Sequence, residues 1–361
     1  MRDTSILLKK VSCTILLLLA ITALLSARPA LAPDEQVLVL PTTASLEEDT
    51  WKIPLKGWVF EMEHDSSWRK FQTKIIARKL KLGERSESNS LFIERAWMFL
   101  VDNQRGKRIK YRLGDKEVIC NRSRPNGHFE GSISMSKKPT GPGSAYTWMR
   151  INVVPPPGDE RRFEGYVQLV PPEGISVISD IDDTIKDSVV LDKKELMANT
   201  FLRPCRAISG MAKQYAKWQE KNVVFHYVSG SPWQLTPMLT HFIEEKGFPR
   251  GSFHLRMFRI YDSSMLNLLK NPFDQKVRKI SAILKRYPRR KFIFVGDSGE
   301  ADADVYGEIA RRYPDQLLHI FIRNVELGKM TQERVSVAFK DIPQDKWTVF
   351  EDAKELGKLQ F

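Results

Sequence analysis

Residues 177–188, VISDIDDTIKDS, decide how the rest of the chain is read. An apolar run, of the kind that forms a buried strand, stops abruptly on Asp180, Asp182 and Asp183. Carboxylates this close resist joint ionisation once water is removed. Either the segment is a solvated turn, or something cationic sits beside it.

The surrounding rhythm favours the second reading. After the proline pair 171–172, strand-like and helical runs alternate. ISVIS (175–179), VVFHYV (223–228), FHLRMFRI (253–260), KFIFV (291–295) and LLHIFI (317–322) read as strands. Helical patterns cover 206–220, 233–246, 274–286 and 301–312. Strands that are almost wholly apolar or β-branched indicate a parallel sheet covered on both faces, an α/β architecture. Ligands in such sheets collect at the carboxyl ends of the strands. The first strand delivers Asp180 and Asp182 there, the second Ser229, and the fourth Gly296-Asp297-Ser298-Gly299 with Asp302 beyond. Lys276 lies near the start of the helix before that fourth strand. Each residue alone has a bland explanation as a cap or turn; the ordered set, one member per element, has a functional one.

This set resembles the haloacid dehalogenase-like phosphohydrolase superfamily, whose motifs are DxDxT, a strand-end Ser or Thr, a Lys, and GD followed by another Asp. ISDIDDTIKDS (178–188), YVSGSPWQL (227–235), Lys276 and GDSGEADADVY (296–306) are similar, more narrowly, to the catalytic domain of the actin-patch phosphatidate phosphatase family. The likeness covers about 172–325, with Gly230 standing where that family favours Asn. It implies a haloacid dehalogenase-like sheet, Asp180 as nucleophile, and Asp182 as general acid and base. Thr184 fixes the turn through its hydroxyl and borders the phosphate. Ser229 and Lys276 bind phosphoryl oxygens. Mg2+ is held by Asp180, the Asp182 carbonyl and Asp297, which supplies the cation that the acidic cluster asks for. Asp302 stands behind these groups, orienting Lys276 or a metal-bound water. Asp183, Asp187, Glu300 and Asp304 are expected to be turn or solvent carboxylates. The gaps between motifs leave little or no room for a cap, so the site is open to a bulky substrate or one presented at a surface. Trp233 and MLNLLKNPF (265–273) either touch an acyl chain or pack internally.

Ahead of this unit the pattern differs. From Trp51 to about Leu169 short alternating segments are split by turn residues: GWVFEM (57–62), AWMFLV (96–101), RIKYRL (108–113), HFEGSISM (128–135), YTWMRINVV (146–154) and GYVQLV (165–170). Turn signals separate them, Gly141-Pro142-Gly143 among them. These predict a β-sandwich-like accessory domain over 51–171, followed by the catalytic domain over 172–361. Residues 33–50 are polar and aperiodic and read as a flexible stem. The stretch 69–85 is rich in Lys and Arg, either a solvated face or a basic membrane-facing surface.

Lys and Arg outnumber Asp and Glu by 57 to 44 in 361 residues, which favours anionic partners. With the resemblance, phosphatidate or a related lipid phosphate is the expected partner, an anionic membrane surface a second one, and nucleic acid is not expected. Arg2, Lys9 and Lys10 precede an apolar run at 11–27, with ALA at 30–32. Residues 1–32 therefore read as a signal peptide or an N-terminal anchor, and the protein as exported, periplasmic or secreted. Cys120 and Cys205 are expected to lie in different domains and to remain unpaired. Two rivals to a Mg2+-dependent phosphatidate phosphatase stay open: a phosphatase for a soluble, sugar or protein phosphate, and an inactive module binding anionic lipid. Retention of Asp180, Asp182 and Lys276 together disfavours the last, since binding needs no general acid.

Overall fold

A computed structural model describes residues 30–62, 67–83, 86, 88–136, 148–257, 273–325 and 330–361, without the side chains of 68–70. The amino-terminal strands are β1 (Glu35–Val39), β2 (Thr42–Glu47) and β3 (Thr50–Glu61). Two helices follow, α1 (Ser67–Lys79) and α2 (Ser90–Trp97). The remaining strands of this sheet are β4 (Asp102–Asn103), β5 (Lys110–Leu113), β6 (Lys116–Ile119), β7 (His128–Ser136), β8 (Trp148–Val154) and β9 (Glu164–Val170).

These strands make one hydrogen-bonded sheet of nine in the order β1-β3-β2-β9-β8-β5-β6, with β4 and β7 also pairing with β3. All pairs are antiparallel except β2 with β9. This differs from two separate sheets. The twelve-residue β3 takes β1 and β2 as partners as well as β7 and β4, so a single ladder bends around its own core. Ile53 and Leu55 of β3, Tyr111 of β5, Phe129 of β7 and Ile151 of β8 share that core although not all are hydrogen-bonded neighbours.

Two expectations change here. The stem 33–50 is instead the pair β1 and β2, because Val37 and Val39 alternate into the core and Thr42–Ser45 pair with β9. Leu31 is also buried, and Arg161 donates to the Ala32 carbonyl at 2.8 Å. The segment AWMFLV closes a helix rather than forming a strand. Asn89 caps α2 by accepting from the Phe92 amide, and Phe92 and Ala96 are buried at helical spacing. On α1 and just beyond it, Ile76, Ala77 and Leu80 face that helix while Lys74, Arg78, Lys79 and Lys81 are solvated. Residues 1–29, 85, the Gly141-Pro142-Gly143 turn and most of 265–273 lie outside the described residues, and among those described no helix is long and apolar enough to cross a membrane.

The second sheet begins with β10 (Ile175–Ser179). Helices α3 (Lys193–Phe201) and α4 (Met211–Glu220) lead to β11 (Val224–Pro232). Then come α5 (Thr236–Glu245), β12 (Gly251–Arg256), α6 (Phe273–Arg286), β13 (Lys291–Asp297), α7 (Asp302–Arg312), β14 (Leu317–Arg323), α8 (Gln332–Ala338) and β15 (Trp347–Phe350). The order is β12-β11-β10-β13-β14-β15, and every pair is parallel. Met211, Tyr215 and Trp218 of α4, with Leu239 and Phe242 of α5, cover one face. Ile280 and Leu284 of α6, with Val305 and Ile309 of α7, cover the other. This is the expected α/β arrangement. Strand order reverses between β10 and β13, which opens a crevice at their carboxyl ends.

Cys120 and Cys205 are both buried free thiols, one in the core of each sheet. Burial pushes the Cys120 thiol up to about 12, which makes it unreactive.

Candidate active site

Both sides of the crevice are built by backbone continuity. The Asp180 amide extends the ladder of β10 by donating to the Val295 carbonyl at 2.9 Å. The chain then turns tightly: the Ile181 carbonyl accepts from the amides of Ile185 and Lys186 at 3.0 and 2.9 Å. Asp183 adopts a left-handed φ of 52°, which Asp tolerates better than most residues. Its carboxylate accepts from the amides of Ser188, Val189 and Val190 at 2.8, 2.8 and 2.6 Å. Asp183 is therefore a turn carboxylate, but a buried one.

Asp180, Lys276, Asp297 and Asp302 meet as expected, all buried. The Lys276 ammonium donates to Asp180 Oδ1 at 2.9 Å, Asp302 Oδ1 at 2.5 Å and Glu300 Oε2 at 3.2 Å. Glu300, expected to face solvent, instead turns its carboxylate toward Lys276. Asp302 Oδ2 accepts from the Asp297 amide at 3.3 Å, so both its oxygens are committed to neighbours. A Cβ at Gly296 would lie 2.6 Å from the Asp302 side chain, which explains glycine at that strand end.

Four carboxylates surround one ammonium. Burial raises Asp180 well above the usual carboxylate range; Lys276 pulls the other way, and the charges of Asp302, Glu300 and Asp297 add to the rise. Burial likewise raises Asp297, helped by Asp302 and Glu300. Burial works against the Lys276 ammonium, and the charges of Asp180, Asp302 and Glu300 more than offset it. Two buried oxygens, Asp180 Oδ2 and Asp297 Oδ1, have no hydrogen-bond partner among the described residues. Carboxylate oxygens of Asp180, Asp297 and Asp302 lie within 4.8 Å of one another. An all-oxygen set with excess negative charge and unpartnered lone pairs fits a hard divalent cation.

Asp182 belongs to a different network. Its Oδ1 accepts from Lys186 Nζ at 2.9 Å and Ser188 Oγ at 2.6 Å. Its Oδ2 accepts from Ser231 Oγ at 2.6 Å and, at 3.4 Å, from Ser229 Oγ. Burial favours the neutral acid, but Lys186 and the Ser188 and Ser231 hydroxyls outweigh it and hold Asp182 below the ordinary carboxylate range. Lys186, Ser188, Ser231 and Glu300 are the residues that sequence reasoning missed. Ser231 had a signal: two residues after Ser229 on a strand, it shares that residue's face. The Thr184 hydroxyl does not fix the turn as expected. It is buried and makes no hydrogen bond among the described residues.

A cleft opens beside Asp182, Ser231, Glu300 and Arg256, and its other wall is apolar. Val190 and, from α3, Leu196, Met197 and Phe201 form that wall. The motif gap thus contains no large cap, but it does supply a helix to the cleft. This helix is held from behind by α2. Arg95 Nη1 donates to the carbonyls of Thr200 and Arg203 at 2.8 Å each, and Asn89 Nδ2 to that of Leu202 at 3.1 Å. Trp233 is core, as its packing alternative holds. Its ring centroid lies 3.8 Å from Trp58, edge-on, and 4.0 Å from His128.

Residues 175–324 match the family described as phosphatidate phosphatase APP1, catalytic domain. The chain is 33% identical over 195 residues to phosphatidate phosphatase APP1 of Saccharomyces cerevisiae, covering 53% of this chain and 31% of that protein. It is 32% identical over 174 residues to an uncharacterized protein of Schizosaccharomyces pombe, covering 46% and 28% respectively. The chain therefore spans about a third of the length of the curated relatives it matches. Among solved structures, a D,D-heptose 1.7-bisphosphate phosphatase from B. bronchiseptica, complexed with magnesium and phosphate, aligns at 15% identity over 51% of this chain and 98% of its own. Its TM-score of 0.23 is too low to bear on the fold. Residues 175–324 are thus a domain of the phosphatidate phosphatase APP1 catalytic-domain family.

Proposed function

We propose that the protein is a Mg2+-dependent phosphatase with a haloacid dehalogenase-like catalytic domain, hydrolysing phosphatidate-like lipid monoesters to diacylglycerol and phosphate through an aspartyl-phosphate. The observation that carries this reading is the unpartnered Asp180 Oδ2, buried at the strand end beside Lys276 and Asp297. Asp180, the Asp182 carbonyl and Asp297 would hold the cation, which when bound would neutralise the cluster and the phosphate dianion.

An Asp180 oxygen attacks phosphorus, and the bond from phosphorus to the leaving oxygen breaks. Asp182 gives that oxygen its proton. The free protein holds Asp182 ionised, and the dianionic phosphoryl group arriving beside it raises its proton affinity. Asp182 then takes a proton from water, whose oxygen attacks phosphorus and releases Asp180 and inorganic phosphate. Ser229, Thr184 and Lys276 bind the phosphoryl oxygens, and Lys276 offsets charge that grows in the transition state. Asp302 orients Lys276. The apolar α3 wall on the leaving-group side favours a lipid alcohol over a sugar, and the solvated basic face of α1 suits an anionic bilayer surface. We read residues 1–32 as the export leader or anchor, which fractionation of cells expressing the full chain tests.

The deciding experiment is a phosphate-release screen of the purified protein. Phosphatidate in mixed micelles, glycerol phosphate and sugar phosphates are compared with magnesium, with chelator, and with calcium. Phosphatidate turnover that chelation stops and magnesium restores is expected. Full activity after exhaustive chelation defeats the metal assignment, and better specificity for a soluble monoester defeats the lipid one.

A further inference from the structure

Each aspartate of the 180–182 pair has its own buried lysine. Lys276 serves Asp180 in the reading above. Lys186 has no part in it, yet its side chain is only 1% exposed and forms an ion pair with Asp182. Its backbone is already fixed without that charge. The Lys186 amide donates to the Ile181 carbonyl at 2.9 Å, and its own carbonyl accepts from Asp183 at 2.7 Å. A shorter side chain or an apolar one would complete the turn equally well, and burying an ammonium is unfavourable unless something requires it.

The contacts of Asp182 show what requires it. Lys186 and Ser188 both address one oxygen, Oδ1, and Lys186 also donates to Ser188 Oγ at 2.5 Å. Among the described residues the other oxygen, Oδ2, meets only the hydroxyls of Ser231 and Ser229, and Asp182 and Ser231 line the cleft. We propose that Lys186, with Ser188, is a positioning residue that occupies Asp182 Oδ1 and turns Oδ2 to the cleft. Oδ2 is then the atom that hands a proton to the leaving oxygen and later receives one from water. Lys186 itself gives up no proton in either half-reaction. This inference rests on the phosphatase reading, because it assigns a partner to that reading's general acid.

Leaving groups separate positioning from mere support. p-Nitrophenolate departs with little need of a proton, whereas the alkoxide of glycerol phosphate or phosphatidate must be protonated. Single-turnover release of alcohol or nitrophenol from the full-length protein with magnesium isolates the first half-reaction. For Lys186→Met the rate with the alkyl ester is expected to fall about 10²-fold, within the range of general acid catalysis, with KM unchanged. The rate with p-nitrophenyl phosphate is expected to stay within about threefold of the parent. Asp182→Asn should show the same split, and Asp182→Asn/Lys186→Met should be no slower than Asp182→Asn alone. Equal losses on both esters, or losses that multiply in the double variant, would overturn the proposal. If Lys186→Met does not fold, Ser188→Ala decides the matter, with the same split at about tenfold. A parent that turns over no monoester removes the phosphatase reading itself. An active parent whose variants show no split removes only this inference.

Discussion

The two ends of strand β10 both bury charge, and they do so in opposite ways. At its start the Arg290 guanidinium, fully buried, donates to Ser176 Oγ at 2.8 Å, to the Pro171 carbonyl at 2.9 Å, and to the carbonyls of Glu173 and Ile175. Every one of these partners is neutral, and the fork of donors closes the loop that enters the strand. At its finish three carboxylates share one ammonium, and two carboxylate oxygens, of Asp180 and Asp297, have no donor among the described residues. A buried charge that is fully hydrogen-bonded stabilises the fold, whereas one left incomplete is waiting for something outside the chain. The contrast locates function more sharply than burial does.

That contrast can be broken by experiment. The largest effect is expected from Asp180→Asn, which removes the proposed nucleophile: turnover should fall on the order of 10⁴-fold or more, with the circular dichroism spectrum unchanged. Residual activity above about a hundredth of the parent takes the nucleophile role from Asp180. At the other end, Arg290→Met should lower unfolding free energy by about 3–5 kcal/mol in urea titrations, because it strands several buried carbonyls. Turnover per folded molecule should be unchanged there. A drop in turnover at preserved stability would show that the ends are not separable in this way.

Magnesium supplies the next test. At a hundredfold excess over its Kd the ion should stabilise the parent by about 2.7 kcal/mol, and should do much less for Asp297→Asn. Equal stabilisation of both would place the ion elsewhere.

Protons should act on the imidazoles. Burial lowers His128 to about 4, His254 to about 3 and His319 to about 4, and pushes His226 well below its ordinary value. In the unfolded chain these residues take up protons near pH 6.5, while the folded protein keeps them neutral. Stability is therefore complete above about pH 6.5 and falls as pH drops towards 4, by up to about 1.4 kcal/mol per pH unit for each histidine. Chemical unfolding at pH 7, 5.5 and 4.5 measures this slope, and a flat profile in chelator would contradict it. The smallest effect is expected from Met197→Gln on the cleft wall. It should reduce kcat/KM for long-chain phosphatidate by about tenfold and leave glycerol phosphate untouched.

How much was legible in the sequence follows the same division. Asp180, Asp182, Ser229, Lys276, Asp297 and Asp302 could be placed because each ends or begins an element, and parallel topology sends such positions to one rim. Arg290 could not, since its partners are backbone carbonyls more than a hundred residues away in sequence. Lys186 stands four residues after Asp182, a spacing that gives no signal on its own, and only the tight turn after β10 buries it. The run AWMFLV was ambiguous because a short apolar stretch has no period of its own. The Asn89 cap and the Phe92–Ala96 spacing, outside or at the edge of that run, settle it as helix. Strand β2 was hidden by polar residues whose partners on β9 lie more than a hundred positions on.

Trp58 and Trp233, one from each sheet, meet with ring centroids 3.8 Å apart. Trp233 lies only two residues beyond Ser231, the serine that touches Asp182. The N-terminal half thus braces both sides of the cleft, with Trp58 packed on the strand end that carries the serines and Arg95 bonded to the end of the helix across it. The C-terminal half shares its core with Trp58 and Phe60 of β3 and is accordingly not expected to be a detachable module. Cut free, it would expose Trp233 and Phe201 and lose the references that aim its chemistry. Substitutions far from the acidic motifs, on β3 or α2, can then retune leaving-group geometry while the motifs themselves stay untouched.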